Sequence, residues 1–296
     1  MATRGKSINL YLMDGTTSGR MKCTLLNWTG VSYKIPRTEL EKCKGRDDLS
    51  QSGVYFLFGT SEQTGEGVVY IGQAGARKNG EGILYRLQEH KRGQDKDYWT
   101  EAVVFTTSNN SFGPTEISYL ENRFCAMAAE AKRYIVKNGN EPTIGNVTEE
   151  KESELEEFID YAKIVMGTLG HKLFDALIQT PVDNSISDDT SERPPEQEFY
   201  IKRSGTNAAG RLTNEGMVVL AGSTIRKEMV PSCSDYIKKA RNINQENIDE
   251  NGTLHKDILF KSPSGASAFV LGAPTNGNME WRTNDGRILK DVENSD

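Results

Sequence analysis

The clearest hydrophobic pattern in the chain is a pair of short runs rich in residues with high β preference, residues 53–58 and 68–72. Such runs predict two adjacent antiparallel strands. The connector over residues 59–67 is polar and rich in glycine, which is typical of a flexible loop. Each predicted strand carries a tyrosine, Tyr55 and Tyr70. Pairing of the two strands would bring both phenols towards one substrate.

Extended segments before this pair predict a small β appendage over residues 1–48, with a turn at Asp14-Gly15. We expect its aromatic residues, Trp28 and Tyr33, to be core residues, and stacking on bases is the alternative. The predicted strands of the appendage are residues 8–13, 20–26 and 31–35.

The middle region, residues 49–180, alternates strand and helix patterns. Pro114 suits the first turn of a long helix, and Asn138-Gly139 suits its end. A later helix begins with acidic residues and carries an apolar stripe that we expect to pack back on this domain, with a partner or dimer role as the alternative. The predicted elements after the tyrosine strands are a helix near 82–92, a strand near 101–107, and helices over 114–137 and roughly 149–178.

Residues 181–197 are acidic, contain prolines and are almost free of apolar side chains, so they predict a linker. A separate C-terminal α+β domain is predicted over residues 198–296. Within it, Ser262 fits a helix N-cap, Pro263 the first helical position and Gly272 the left-handed stop. Its other predicted elements are a strand and turn at 216–223, a polar helix at 235–247, a strand at 258–260 and a closing hairpin at 276–289.

The composition of the 296 residues is that of an ordinary protein with two or three compact domains. No apolar run approaches the length of a membrane span, and the N-terminus has no signal-peptide pattern. We therefore expect a cytoplasmic protein with no membrane partner. The four cysteines are far apart and only three histidines are present, so the sequence contains no zinc-finger signature.

The net charge of −6 is unfavourable for a DNA-binding protein, but the charges are segregated along the chain. Residues 1–46 and 77–96 are basic, whereas residues 149–160 and 183–198 are acidic. Such a molecule can hold a phosphate backbone on one side. Ordinary solvated surface charge is the other interpretation.

The two tyrosine strands contain Gly53-Val54-Tyr55 and Tyr70-Ile71-Gly72, and in these tripeptides the chain resembles the GIY-YIG nuclease family. The order of later residues strengthens the resemblance, which spans residues 50–146. The family places an arginine, and often a histidine one turn later, on the helix after the second strand, and a metal-binding glutamate on a later helix. The matching residues here are Arg86, His90 and Glu121. The resemblance implies an α+β fold whose GIY-YIG domain is a three-stranded antiparallel sheet flanked by helices.

The resemblance also implies roles for the five matching residues. Tyr55 is the candidate base and Tyr70 would orient the water or phosphate, although the two phenols can exchange roles. Arg86 would bind the scissile phosphate, and His90 would contact phosphate or move a proton. Glu121 would hold Mg²⁺ or Mn²⁺, because a single hard oxygen ligand completed by water and phosphate suits these ions.

Residue patterns alone leave other interpretations of the acidic side chains open. Glu121 shares a helix face with apolar residues, where an unpaired carboxylate is costly, so a metal or an arginine must satisfy it. A half-buried salt bridge to Arg86 is therefore the alternative to a metal site. Glu116 is the rival carboxylate, but it lies in the first helical turn, where acidic side chains stabilise the helix dipole.

Candidate substrate-binding residues lie in and after the second signature tripeptide, Tyr70-Ile71-Gly72. Gly72 would allow close packing at the site. Gln73 stands where many family members carry lysine, and the basic pair Arg77-Lys78 could substitute for that contact. The family often has an asparagine after the glutamate helix, and Asn138 and Asn140 compete for that position.

The C-terminal run Phe260-Lys261-Ser262-Pro263-Ser264 resembles part of an uncharacterised domain often appended to GIY-YIG nucleases, which implies no function. For the whole chain, we expect a metal-dependent endonuclease or nickase that hydrolyses DNA phosphodiester bonds. The alternatives are a catalytically silent nucleic-acid-binding module with the same fold, and a regulatory protein that never meets nucleic acid. Target preference, DNA against RNA, oligomeric state and pathway stay open.

Overall fold

The structure is a computed structural model that describes residues 5–76, 81–93, 96–139, 142, 144–177, 197–203 and 205–294. The chain divides into two compact units, one ending at residue 176 and the other beginning at residue 177. Each unit combines helices with its own β-sheet, so the predicted α+β class is confirmed. No helix in the described ranges is long and apolar enough to cross a membrane.

The first unit is built on one seven-stranded sheet with the order β1-β2-β3-β6-β4-β5-β7. Its strands are β1 (Ile8–Leu12), β2 (Met21–Leu25), β3 (Gly30–Pro36), β4 (Gly53–Thr60), β5 (Gly67–Ala74), β6 (Trp99–Thr107) and β7 (Ile135–Val136). The prediction of a three-stranded sheet with an N-terminal appendage was wrong, because β3 pairs with β6 along its whole length. The first three strands therefore continue the central sheet.

Alternating side chains of the central strands supply two separate cores, as the two-residue period of a strand requires. Phe56 and Ile71 face the first core, which is closed by two long helices. Tyr55 and Leu57 face the second core, which is closed by a shorter helix and by 3-10 segments. The helices are α1 (Ile83–Arg92), α2 (Pro114–Ala131) and α3 (Glu149–Thr168), and the 3-10 segments are Arg37–Cys43 and Asp47–Leu49.

Both long helices are shorter than the sequence predicted. Helix α2 ends before Lys132, which adopts a left-handed conformation with φ 53°, and the chain then forms β7 beside β5. Asn138-Gly139 is therefore not the stop of this helix. Helix α3 ends at Thr168 and packs its apolar stripe into the first core, as predicted.

The aromatic residues of the N-terminal strands are also packed inside the unit. Trp28 contacts Phe158 with ring centroids 4.9 Å apart, and Tyr33 is fully buried. Tyr33 is therefore a core residue, as expected, whereas Trp28 is half-buried and packs against the first core.

The second unit has a four-stranded antiparallel sheet in the order β11-β10-β9-β8. As predicted, Ser262 caps a helix by accepting from the Gly265 N–H, and Gly272 ends that helix with φ 63°. The predicted closing hairpin is present in a shorter form: Arg282 and Ile288 form an antiparallel bridge around the Asp285-Gly286 turn, whereas the start of the segment, Gly277–Glu280, is helical. The elements are β8 (Glu198–Ile201), β9 (Ala208–Thr213), β10 (Gly216–Val219), β11 (Ile258–Phe260), α4 (Asp235–Ile243), α5 (Pro263–Leu271), α6 (Gly277–Glu280) and α7 (Leu289–Glu293).

Candidate active site

The candidate site lies at the outer edge of β5, where the sheet ends. Strand β7 covers only Val68 and Val69 of that edge. Beyond it, the side-chain amide of Asn138 takes the place of a neighbouring strand, accepting from the Ile71 N–H at 3.1 Å and donating to the Ile71 carbonyl at 2.7 Å. At the next outward-facing position, the backbone and side chain of Gln73 both hydrogen-bond to the carboxylate of Glu121. Side chains therefore complete the ladder that β7 begins.

The two faces of the sheet meet at this edge. Tyr55 and Tyr70 belong to the face covered by α1, whereas Glu121 lies on α2, which covers the opposite face. Because β7 is so short, Glu121 is close enough to affect the pKa of both phenols electrostatically. Four of the five predicted catalytic side chains contact one another directly, and Glu121 faces them across the edge. The structure thus brings together all five.

Tyr55 is the buried centre of the cluster, with 1% of its surface exposed. Its hydroxyl lies 2.7 Å from Nε2 of His90, and it also hydrogen-bonds with Arg86 and Tyr70. Burial raises the pKa of Tyr55 above the ordinary value for tyrosine, and the nearby Tyr70 adds to this effect, while Arg86 opposes it. The Tyr55 phenol is therefore protonated at neutral pH, and its single proton can be donated to only one neighbour at a time.

Tyr70 is the phenol on the solvent side. It is half-buried, and its ring centroid lies 6.3 Å from that of Tyr55 and 5.6 Å from that of His90. Burial raises the pKa of Tyr70, the charge of Glu121 raises it further, and Arg86 lowers it. The Nζ atom of Lys96 lies 3.4 Å from the centre of the same ring, which is a cation–π distance.

Arg86 is fixed by a second acidic side chain rather than by the candidate metal ligand. Its Nη1 lies 2.6 Å from Oε2 of Glu89, one turn later on α1. This pair, together with the hydrogen bond to Tyr55, raises the pKa of Arg86, so its guanidinium is permanently charged. The positive charge of Arg86 lowers the pKa of Glu121 only as a minor influence. Among the described residues, the alternative of a salt bridge between Arg86 and Glu121 therefore has no support.

Glu121 is half-buried. Burial raises the pKa of Glu121, and the hydrogen bonds from Gln73 offset part of that effect. The rival Glu116 has a structural task, since its carboxylate accepts from the Gly113 N–H at 3.0 Å and closes the first turn of α2.

The donor set at Glu121 fits a hard divalent ion that keeps most of its water. Among the described residues no three His, Cys, Asp or Glu side chains form a metal cluster, and Glu121 is the carboxylate whose charge acts on both phenols. Mg²⁺ is commonly held in this way, by one or two carboxylates with water and substrate phosphate completing the octahedron. A half-buried carboxylate whose charge is disfavoured by burial would gain from such a cation.

The remaining candidates fall into three groups. Gly72 lies directly opposite Tyr55, and an added Cβ would lie 2.5 Å from Cζ of that ring. Gln73 and Asn138 hold the edge of β5 in place, as described above. Arg77, Lys78 and Asn140 lie outside the described residues.

Lys96 is the site residue that sequence reasoning missed. It stands in a basic stretch, and nothing in its local pattern distinguishes it from the other cations there. Only the folding of the segment between α1 and β6 places its ammonium group on the Tyr70 ring.

Comparisons with known proteins bear on the second unit. The model of a family described as "Domain of unknown function (DUF4357)" matches residues 199–293. This match agrees with the predicted resemblance of the C-terminal region to an uncharacterised domain. No curated protein and no solved structure matches the chain. These comparisons show that residues 199–293 are similar to a domain of unknown function, and they do not test the resemblance of residues 50–146 to the GIY-YIG family.

Proposed function

We propose that the first unit is a metal-dependent endonuclease of the GIY-YIG type that hydrolyses DNA phosphodiester bonds. The observation that carries the proposal is the hydrogen bond of 2.7 Å between the buried Tyr55 hydroxyl and His90 Nε2, formed beside Arg86 and facing Glu121. Phosphodiester hydrolysis needs a proton acceptor, positive charge at the phosphate and a carboxylate for a metal. This cluster supplies one group for each need.

The Tyr55–His90 pair gives a physical account of how a phenol can act as a base. With its raised pKa, Tyr55 cannot accept a proton from water unless it gives up its own. Nε2 of His90 accepts in the tautomer that carries its proton on Nδ1, and in that tautomer proton transfer from water to the Tyr55 oxygen would accompany transfer of the phenolic proton to His90. The solvent-facing Tyr70 would position the water or a phosphate oxygen.

The cationic side chains hold the phosphate. Arg86 has its orientation fixed by Glu89 and Tyr55, which leaves a preorganised guanidinium for the non-bridging phosphate oxygens. Lys96 adds a second positive charge beside Tyr70 and can take the role of the lysine that Gln73 replaces. Mg²⁺ or Mn²⁺ bound at Glu121 would supply Lewis-acid stabilisation of the charge that develops on the phosphate.

A binding module without catalysis is the second candidate, and the burial of the site argues against it. Phosphate binding needs exposed cations, whereas Tyr55 is almost fully buried and Glu121 has a pKa raised by burial. A carboxylate with a pKa perturbed in this way, beside a buried hydrogen-bonded phenol, is typical of catalytic sites. A protein that only binds DNA gains nothing from them.

The direct test is nicking of a supercoiled plasmid with Mg²⁺ or Mn²⁺, with chelator, and with Glu121→Gln. We expect metal-dependent nicking that chelator abolishes and that Glu121→Gln lowers by at least ~100-fold, as loss of one key electrostatic group does. Glu116→Gln, on the same helix, is the matched control and should retain nicking. Wild-type binding of DNA with no cutting under any condition would favour the binding module.

A further inference from the structure

A groove of about 390 Å³ runs along the free edge of the second unit's sheet. Strand β8 pairs with β9 on one side, whereas its other side is covered by a single bridge between Tyr200 and Arg282. The two backbone hydrogen bonds of that bridge measure 2.7 and 3.0 Å. We call this feature the edge groove, and its lining includes Tyr200, Lys202, Arg203, Met279, Glu280 and Arg282.

The strand alternation points polar side chains into the edge groove. Trp281 and Thr283 are buried on either side of Arg282, so the Arg282 side chain is directed outwards. The same alternation directs Tyr200 outwards, directly opposite Arg282. Lys202 directly follows the end of β8, is exposed, and holds its Nζ 5.0 Å from the centre of the Tyr200 ring.

The charges of the edge groove do not balance. Its lining has three cationic side chains and one carboxylate, and that carboxylate, Glu280, pairs with Arg203 at 3.1 Å. Lys202 and Arg282 therefore contribute two positive charges that no carboxylate of the described lining neutralises. Met279 adds an apolar surface that is 46% exposed. Cations interleaved with an aromatic and an apolar side chain are typical of surfaces that hold nucleic-acid strands.

We propose that the edge groove binds the phosphate backbone of a nucleic acid, with Lys202 and Arg282 as the principal phosphate contacts. This role goes beyond cleavage by the first unit and gives the domain of unknown function a ligand. It does not depend on the nuclease proposal, because binding is measured on protein that cannot cut.

The test uses full-length protein carrying Glu121→Gln in the presence of chelator. Binding of short labelled single-stranded and duplex DNA is measured by fluorescence anisotropy over a series of salt concentrations. The groove variant is Lys202→Gln with Arg282→Gln, and the charge-matched control is Lys227→Gln with Lys239→Gln, two exposed lysines outside the groove. Thermal denaturation checks that each protein is folded.

The groove variant should bind DNA roughly tenfold more weakly at low salt. Because it loses two phosphate contacts, the slope of log affinity against log salt concentration should become shallower by ~1.8 for duplex DNA or ~1.4 for single-stranded DNA. If only the single-stranded or only the duplex DNA shows this loss, that is the form of nucleic acid that the edge groove binds. The control should keep the parent affinity and slope. Unchanged slopes in the groove variant, equal losses in the control, or preferential binding of an acidic peptide such as polyglutamate would overturn the proposal.

Discussion

Gly72→Ala is the sharpest test of how the candidate site is packed. Gly72 pairs directly with Tyr55 across β4 and β5, and the Tyr55 ring lies over it. An added Cβ would lie 2.5 Å from Cζ and 2.9 Å from Cε2 of that ring. Because non-bonded carbons prefer a separation of ~3.5 Å or more, the ring must move by ~1 Å.

The Tyr55 ring has little room for such a movement. It is 1% exposed, and its hydroxyl is held 2.7 Å from His90. Overpacking of this kind costs ~1–3 kcal/mol of unfolding free energy. A displacement of ~1 Å in a reacting group can also lower a rate by ~100-fold. We therefore expect Gly72→Ala to lower both stability and nicking.

Two measurements and one control decide the prediction. Thermal denaturation should show a Tm lower by ~2–4 °C for each kcal/mol lost in a unit of this size, and plasmid nicking should fall by ~100-fold. Gly75→Ala is the matched control, since its added Cβ meets only Cδ1 of Ile117, at 3.9 Å. A Gly72→Ala protein with wild-type Tm would show that the phenol does not pack against this glycine. The Tm result stands whether or not the protein is a nuclease.

Four other predictions test separate parts of the proposed site and of the fold. Lys96→Met should weaken DNA binding and lower its salt slope by ~0.9, whereas an unchanged slope would remove this lysine from the site. Tyr55→Phe and His90→Leu should each lower nicking by ~10²–10⁴-fold. Because the two side chains act on one proton path, the double variant should lose no more activity than either single variant. Losses that add in the double variant would contradict the shared proton path. Burial raises the pKa of Glu121 above 4.5, so the stability associated with its neutral form is present below that value and is lost as pH rises through the folded pKa. Glu121→Gln should therefore raise Tm at pH 7 and leave it unchanged below 4.5, and the opposite pH dependence in denaturation scans would refute the burial argument. Gly167→Ala should stabilise α3 by ~0.5–1 kcal/mol, since its added Cβ meets nothing within 4 Å, and any loss of Tm would indicate an unseen contact.

Local pattern predicted most of the strands of the first unit, but not how they join. Residues 31–35 were predicted to be a strand of an appendage, because the sequence of a strand does not show which other strand it pairs with. The partner is β6, which lies some seventy residues later in the chain. The end of α2 was also hidden, because Lys132 is an uncommon left-handed residue without glycine or asparagine to signal it.

The candidate site was predicted in its composition and not in its geometry. The resemblance supplied Tyr55, His90 and Glu121, but whether the carboxylate would pair with arginine depended on tertiary contacts. Arg86 turned out to be held by Glu89, three residues later on the same helix, a spacing that the sequence contains. The task of Asn138, by contrast, required knowledge of which strand edge its amide would meet.

The open edge of β5 explains why the site can exist on this sheet at all. A full-length neighbouring strand would occupy the outward-facing backbone groups of Ile71 and Gln73. Here Asn138 binds the first of these residues, and Glu121 accepts the N–H of the second. The Gln73 N–H, which would otherwise pair with a neighbouring strand, thus holds the Glu121 carboxylate in place. The brevity of β7 is therefore a requirement of the site, because a longer strand would displace Glu121 from the edge where it faces the two phenols.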